Sequence, residues 1–167
     1  MVKSVFADTA YFLALNISRD RFHEQALSLE ATLRCQLLTT EWVLTEVADA
    51  LAAPPTRARF AAQIERLRAR DDVRIVAAKH RQFERGCALY LKHKDKRWSL
   101  TDCISFLVMR QHGADTALTS DRHFVQAGFR ILLGSEPSGI AEPAAPSYAC
   151  RAPAGAEPAT VWIGRAA

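Results

Sequence analysis

A chain of 167 residues is long enough to bury the core of one ordinary domain. Its composition is 49% hydrophobic and 24% charged, which excludes a disordered chain, and no apolar run reaches the roughly 18 residues of a membrane span. The formal net charge of +4 suits an anionic partner, although a soluble protein that is merely basic fits it as well. We therefore expect a soluble, cytoplasmic protein that does not enter a membrane.

Short apolar strands and amphipathic helices alternate along most of the chain. In chain order, the pattern predicts a strand at 2–7, helices at 9–16 and 21–33, a strand at 35–39, helices at 41–52 and 56–70, a strand at 73–76, helices at 80–93 and 101–112, a strand at 116–119, a helix at 121–127 and a strand at 129–133. Pro54 and Pro55 are expected to break the helical pattern before residue 56.

This alternation predicts an α/β fold, a three-layer sandwich with a central parallel β-sheet flanked by helices. The strands are apolar without polar alternation, as expected for a sheet that is covered on both faces. The sequence changes character after residue 133. We therefore predict one folded domain at 1–133 and a Gly/Pro/Ala-rich, irregular tail at 134–167.

Four acidic residues fall near the predicted strand ends. Asp8 ends the first strand, Glu46 lies in the helix after the second strand, Asp102 opens a later helix, and Asp121 follows the fourth strand. Because the carboxyl ends of parallel strands gather at one edge of a sheet, these four acids can meet in one cleft.

Each acid alone also has a structural explanation. Asp8 and Asp121 could be helix N-caps, Ser99 and Asp102 resemble a capping box, and Glu46 could lie on a solvated helix face. Together the acids favour a metal site, because clustered carboxylates repel and a hard cation such as Mg²⁺ or Mn²⁺ removes that penalty. The four cysteines lack C-x-x-C spacing, so zinc is a poor fit.

The segments that carry these acids resemble the PIN-domain family, close to the VapC-type toxins of bacterial toxin–antitoxin modules. The matching segments are "VFADTAYFLAL", "TTEWVLTEVADAL", "SLTDCISFLVM" and "ADTALTSDRHFVQAGFRIL". They extend from residue 5 to about residue 132, so the resemblance covers nearly all of the predicted domain at 1–133. Each segment is weakly specific alone, but the order and spacing of the four acids are specific together.

The resemblance implies a metal-dependent endoribonuclease in which the acids bind Mg²⁺ or Mn²⁺ and a water attacks the RNA phosphodiester. Asp8, Glu46 and Asp102 would then form the main catalytic and metal-binding set, with Asp121 in support. Thr9 and Ser120 would bind water or phosphate, or simply make local turn contacts. The family also implies a cognate antitoxin protein and a homodimer.

RNA needs cationic side chains to meet its phosphates. Lys94, Lys96 and Arg97 precede the Asp102 segment, and Arg122 follows Asp121, so these four are the expected substrate-binding cations. A solvated loop explains the first three equally well, and a cap or surface role explains Arg122. His123 lies at the same cleft edge, and the same structural role explains it too.

Two rival functions remain open. One is another Mg²⁺-dependent phosphate-ester hydrolase, which often has a second acid two residues after its nucleophilic aspartate; Ala10 stands at that position after Asp8. The other is a catalytically silent scaffold that binds RNA or protein. The sequence also leaves the RNA target open among transfer, ribosomal and messenger RNA.

Overall fold

The fold is built on a five-stranded sheet in which every neighbouring pair of strands is parallel. The computed structural model describes residues 4–134 of the chain. The strands are β1 (Ser4–Ala7), β2 (Gln36–Thr40), β3 (Val73–Val76), β4 (Thr116–Leu118) and β5 (Arg130–Ile131). Their order across the sheet is β3-β2-β1-β4-β5. The predicted α/β class with a central parallel sheet is confirmed.

Seven helices lie within residues 4–134. They are α1 (Thr9–Asn16), α2 (His23–Thr32), α3 (Glu41–Ala50), α4 (Pro54–Arg68), α5 (His80–Lys92), α6 (Leu100–His112) and α7 (Arg122–Gln126). All twelve predicted elements are therefore present. Their ends differ from the predicted ones by at most two residues, which is the usual uncertainty where helices and strands fray.

The prediction was wrong about which element holds the two prolines. Pro54 and Pro55 are the first two residues of α4 rather than a break before it. Proline is well suited to the first turn, because its missing N–H would have no acceptor there and its φ is already helical. The break between α3 and α4 is made instead by the short segment at 51–53.

The strand order reverses between β1 and β4. The chain passes from β1 to β2 and β3 on one side, and β4 and β5 add to the other side. Ala7, the last residue of β1, pairs with Leu118, the last residue of β4. Such a reversal leaves a crevice at the carboxyl ends of the two strands, where α/β proteins bind ligands.

Packing in the hydrophobic core fixes the positions of the helices that border this crevice. All residues of β1 and β4 are buried, as a sheet covered on both faces requires. Phe106 of α6 meets Phe124 of α7 edge to face, with ring centroids 5.0 Å apart. Phe106 lies nearly two turns into α6 and Phe124 lies in the first turn of α7, so this contact packs the two helices together near their N-termini.

Residues 135–167 and 1–3 lie outside the described residues. The predicted irregular tail at 134–167 falls almost wholly there, so the domain boundary after residue 133 stays a prediction. Among the helices within 4–134, none combines the length and the apolar character needed to cross a membrane.

Candidate active site

Four acidic side chains converge at the crevice between β1 and β4. Asp8 directly follows β1, Glu46 lies in α3 after β2, Asp102 is in the first turn of α6, and Asp121 precedes α7 after β4. The charges of Asp102 and Glu46 both raise the pKa of Asp8, and the charge of Asp121 raises that of Asp102. The four carboxylates are therefore close enough to repel one another.

Asp8 is the most deeply buried of the four acids. Burial is the main reason that its pKa rises from 3.8 to about 7, and the charges of Asp102 and Glu46 add to the rise. Its Oδ2 accepts a hydrogen bond of 2.8 Å from the Thr119 hydroxyl, which lowers the pKa in part. Asp8 stands at the predicted N-cap position of α1, and a hydrogen bond from the Thr9 backbone also lowers its pKa, but within residues 4–134 its side chain makes no capping bond, so capping alone does not explain this acid.

Glu46 points inward from α3. The Thr9 hydroxyl donates a hydrogen bond of 2.7 Å to Glu46 Oε2 and so joins the start of α1 to the middle of α3. Glu46 is thus half-buried and bonded across the crevice, so a solvated helix face describes only part of its surroundings. Thr9 was expected to bind water or phosphate or to make a local turn contact, but its hydroxyl bonds this carboxylate 37 residues away in the chain.

Asp102 combines a capping box with a place in the acidic cluster. Its Oδ2 accepts the Ser99 N–H at 2.7 Å, and its own N–H donates to the Ser99 hydroxyl at 2.9 Å. The predicted capping box is confirmed. Burial raises the pKa of Asp102, the Ser99 N–H lowers it, and the charge of Asp121 raises it. The box thus fixes the carboxylate at the crevice.

Asp121 also has two tasks. Its Oδ1 accepts the His123 N–H at 2.8 Å, which confirms the predicted cap of α7. Its own N–H donates to the Thr119 hydroxyl at 3.0 Å. Because Thr119 also donates to Asp8, one buried hydroxyl joins the acids that follow β1 and β4. Sequence reasoning missed Thr119, although a hydroxyl residue two positions before a strand-end acid was a usable signal.

His123 is the second residue whose position sequence reasoning underrated. Its Nδ1 is 3.2 Å from Asp121 Oδ2 and 3.4 Å from Asp102 Oδ2. Neither contact has hydrogen-bond geometry, so within residues 4–134 this buried nitrogen has no hydrogen-bond partner. A buried polar atom without a partner is uncommon and often marks a site for an ion.

Asp102, Asp121 and His123 each offer one ligand atom, and these atoms lie within 4.8 Å of one another. Six ligands at about 2.0–2.1 Å from an octahedral cation place neighbouring donors about 3 Å apart. The two distances at His123 Nδ1 are close to that spacing. Together with the repelling charges of Asp8 and Glu46, this donor set fits a divalent cation with mainly oxygen ligands.

The predicted cationic and hydroxyl residues lie in chain segments that adjoin the acids in sequence. Lys94, Lys96 and Arg97 are exposed in the segment between α5 and α6, and Arg122 is exposed at the start of α7. Lys96 forms an ion pair of 3.0 Å with Asp95. Ser120 is half-buried next to Asp121. Their predicted contacts with RNA stay predictions.

Comparison with known proteins agrees with this architecture. The family model of the PIN domain matches residues 5–130. The 23S rRNA-specific endonuclease VapC20 of Mycobacterium tuberculosis is 32% identical over 125 residues, which are 75% of this chain and 95% of the relative. The crystal structure of VapC20, a sarcin–ricin loop cleaving toxin, superposes with a TM-score of 0.67 at 28% identity and covers 75% of this chain and 95% of its own.

More distant structures share the fold alone. FitAcB from Neisseria gonorrhoeae has a TM-score of 0.55 at 15% identity and covers 77% of this chain and 96% of its own. VapBC2 from Rickettsia felis, bound to a DNA fragment from its promoter, has a TM-score of 0.55 at 13% identity. It covers 77% of this chain and 96% of its own. The predicted resemblance is confirmed: this chain belongs to the PIN-domain family, whose nucleases hydrolyse RNA.

Proposed function

We propose that this chain is a metal-dependent endoribonuclease and the toxin of a toxin–antitoxin pair. The observation that carries the proposal is the series of electrostatically coupled carboxylates at the crevice between β1 and β4. Buried acids that repel one another destabilise the fold, so their arrangement is explained by a ligand that needs all of them ionised. A divalent cation is such a ligand.

Asp8, Glu46, Asp102 and Asp121 would hold Mg²⁺ or Mn²⁺, and His123 Nδ1 faces the same space. When bound, such a cation lowers the pKa of a coordinated water and neutralises charge on a scissile phosphate. The hydroxyls of Thr9 and Thr119 orient Glu46 and Asp8. Partners of this kind keep ligands in position, and their loss typically weakens metal binding or activity.

RNA is the proposed substrate, and ribosomal RNA is the first class to test because the relative VapC20 acts on 23S rRNA. Lys94, Lys96, Arg97 and Arg122 would contact phosphates from the rim, and Ser120 from beside the acids, whereas the Thr9 hydroxyl is already donated to Glu46. These contacts follow from exposure and position next to the cluster, and cations so placed steer a polyanion towards it.

A cognate antitoxin, a homodimer and a cytoplasmic location complete the proposal. The antitoxin is supported by structural neighbours of the VapBC type from Rickettsia felis and Salmonella typhimurium, which share the fold at low identity. A toxin that cleaves cellular RNA needs such a partner to block its site while its host grows. The location follows from the RNA substrate.

The test is cleavage of total and ribosomal RNA by purified protein, free of antitoxin, with Mn²⁺, with Mg²⁺ and with EDTA. Discrete cleavage that is lost in EDTA and in Asp102→Asn is the expected result. Asp71→Asn is the matched control, because Asp71 is an exposed aspartate at the opposite, amino end of β3. Cleavage that survives both EDTA and Asp102→Asn would overturn the metal mechanism. No cleavage by folded, metal-bound protein would favour the silent scaffold.

A further inference from the structure

A pocket of about 690 Å³ lies beside the acidic site, between α5 and the segment that enters α6. One wall comes from Cys87, Tyr90 and Leu91, whose spacing of three and four residues puts them on one face of α5. The other wall is the segment 97–100. Tyr90 is 49% exposed and Leu91 is 62% exposed, so a large apolar surface faces solvent here.

The walls of this pocket are fixed by the core. Trp98 is buried, its ring lies 5.1 Å from that of Phe106, and its Nε1 donates to Gln126 at 3.2 Å. On the other side, α5 packs so closely on α6 that a Cβ added at Gly86 would lie 2.5 Å from Ile104 Cγ1. The pocket is therefore formed before any ligand arrives, as binding sites usually are.

The pocket and the acidic site share one residue. Ser99 lines the pocket, and its N–H holds Asp102 Oδ2 at 2.7 Å. The pocket therefore adjoins the place where the proposed function puts the phosphate.

The rim of the pocket carries an excess of positive charge. Arg97 lines the pocket, and Lys92, Lys94 and Lys96 are exposed in the segment that joins its two walls, where Asp95 is paired with Lys96. A symmetric dimer through this surface would place the same cationic rim of each copy against the other, which is unfavourable. A polyanion with flat apolar groups matches both features, because its phosphates meet the cations and its bases meet the tyrosine.

We propose that this pocket binds an unstacked nucleobase of single-stranded RNA, with Tyr90 as the stacking surface and Arg97 on the adjoining phosphate. The inference rests on the proposed ribonuclease function and names its substrate as RNA with at least one base free of pairing next to the cleaved bond. Stacking on an aromatic side chain is how proteins commonly hold such bases.

The test measures RNA binding in EDTA, where the proposed cleavage is stopped. The probe is a 12-nucleotide single-stranded RNA with one 2-aminopurine, whose fluorescence falls when the base stacks. Tyr90→Ala is expected to weaken binding roughly 5- to 100-fold and to abolish the fluorescence change, whereas Tyr90→Phe keeps both. Arg97→Gln is expected to weaken binding and lower the salt slope by about one. Leu27→Ala, at a leucine that is 43% exposed on α2, is the control and is expected to bind as the native chain does.

Binding by Tyr90→Ala equal to native binding would overturn the proposal, and so would a Tyr90→Ala change that only dissociates a dimer. Thermal melting checks that the variants are folded; if Tyr90→Ala unfolds, Leu91→Ser probes the same wall with the same expected loss. If the native protein cleaves RNA and Tyr90→Ala binds RNA as tightly as the native protein, this inference fails and the proposed function stands. Native protein that neither binds nor cleaves RNA removes the proposed function with it.

Discussion

The two pairs of acids in the site are held by different kinds of donor. Asp8 and Glu46, the hydroxyl-held pair, accept hydrogen bonds from Thr119 and Thr9. Asp102 and Asp121, the backbone-held pair, accept N–H groups at the starts of α6 and α7. Within residues 4–134 neither acid of the first pair makes a side-chain capping bond, although Asp8 stands at the N-cap of α1, whereas both acids of the second pair take part in a helix cap.

The comparison shows that one carboxylate can both cap a helix and contribute to the acidic site. Asp121 gives Oδ1 to the cap of α7 and turns Oδ2 towards His123. The capping explanation from the sequence was therefore right for the backbone-held pair. A carboxylate that caps a helix with one oxygen can still take part in the site with the other. For the hydroxyl-held pair, the local explanations are incomplete, because Asp8 makes no side-chain capping bond and Glu46 is half-buried and bonded to Thr9.

The largest expected effect tests whether both pairs serve the same reaction. Asp8→Asn and Asp102→Asn each remove one negative charge while keeping the side-chain shape. We expect either change to slow RNA cleavage in Mn²⁺ on the order of 1,000-fold, because ligands of a catalytic cation act through several kcal/mol. Single-turnover cleavage of ribosomal RNA measures this, with Asp71→Asn as control. A loss confined to one pair would show that the other is structural.

The second prediction concerns the pH dependence of stability in the metal-free protein, which Asp8 of the hydroxyl-held pair should dominate. Burial raises the pKa of Asp8 from 3.8 to about 7, so the folded chain keeps a proton that the unfolded chain has lost. The free energy of unfolding in EDTA is therefore expected to fall by roughly 4 kcal/mol between pH 4 and pH 8 through this group.

Asp8→Asn has no such proton to lose and is expected to be the more stable protein at pH 8. Urea unfolding at several pH values compares the two chains. Equal stability of Asp8→Asn and the native chain at pH 8 would contradict the burial of a repelled charge.

The third effect concerns the nitrogen that lies between the backbone-held acids. His123→Gln is expected to weaken Mn²⁺ binding by about 10- to 100-fold if Nδ1 completes the donor set, since groups around a metal typically contribute that much. Titration of free Mn²⁺ by its magnetic resonance signal gives the affinity without relying on cleavage. His80→Gln changes an exposed histidine on α5 and serves as the control. An unchanged affinity in His123→Gln would remove this residue from the site.

A smaller effect tests the hydroxyl that orients Glu46. Thr9→Val keeps the shape of the side chain and removes the donor, whereas Thr9→Ser keeps the donor. We expect Thr9→Val to cleave RNA about 10-fold more slowly and Thr9→Ser to cleave at nearly the native rate. Equal rates for the two variants would mean that Glu46 is held without this bond.

The smallest effect isolates the cap of α7. Asp121→Ala and Asp121→Asn both remove the charge, but only asparagine retains an N-cap oxygen. In EDTA, Asp121→Ala is expected to be less stable than Asp121→Asn by about 1 kcal/mol, the usual contribution of an N-cap. Thermal melting measures the difference. A difference near zero would show that the α7 cap contributes nothing and that the two pairs differ less than the hydrogen bonds indicate.

The sequence determined most of the fold, because its signals are local. Apolar runs and helical spacing predicted all twelve elements in order, and strand–helix alternation predicted a parallel sheet. The capping box at Ser99 and Asp102 was also readable, since its members lie three residues apart. Pro54 and Pro55 were misplaced because proline ends one helix and begins another equally well.

The tertiary structure alone decided how the acids are held. Thr9 and Glu46 are 37 residues apart, and Asp8 and Thr119 are 111 residues apart, so no local sequence pattern predicts their hydrogen bonds. The sequence named four acids that could meet because they follow or precede strands of one sheet. Only the strand order placed β1 beside β4, buried Asp8 between their ends and brought His123 between two carboxylates. Burial and charge coupling depend on distances in space, which spacing along the chain does not fix.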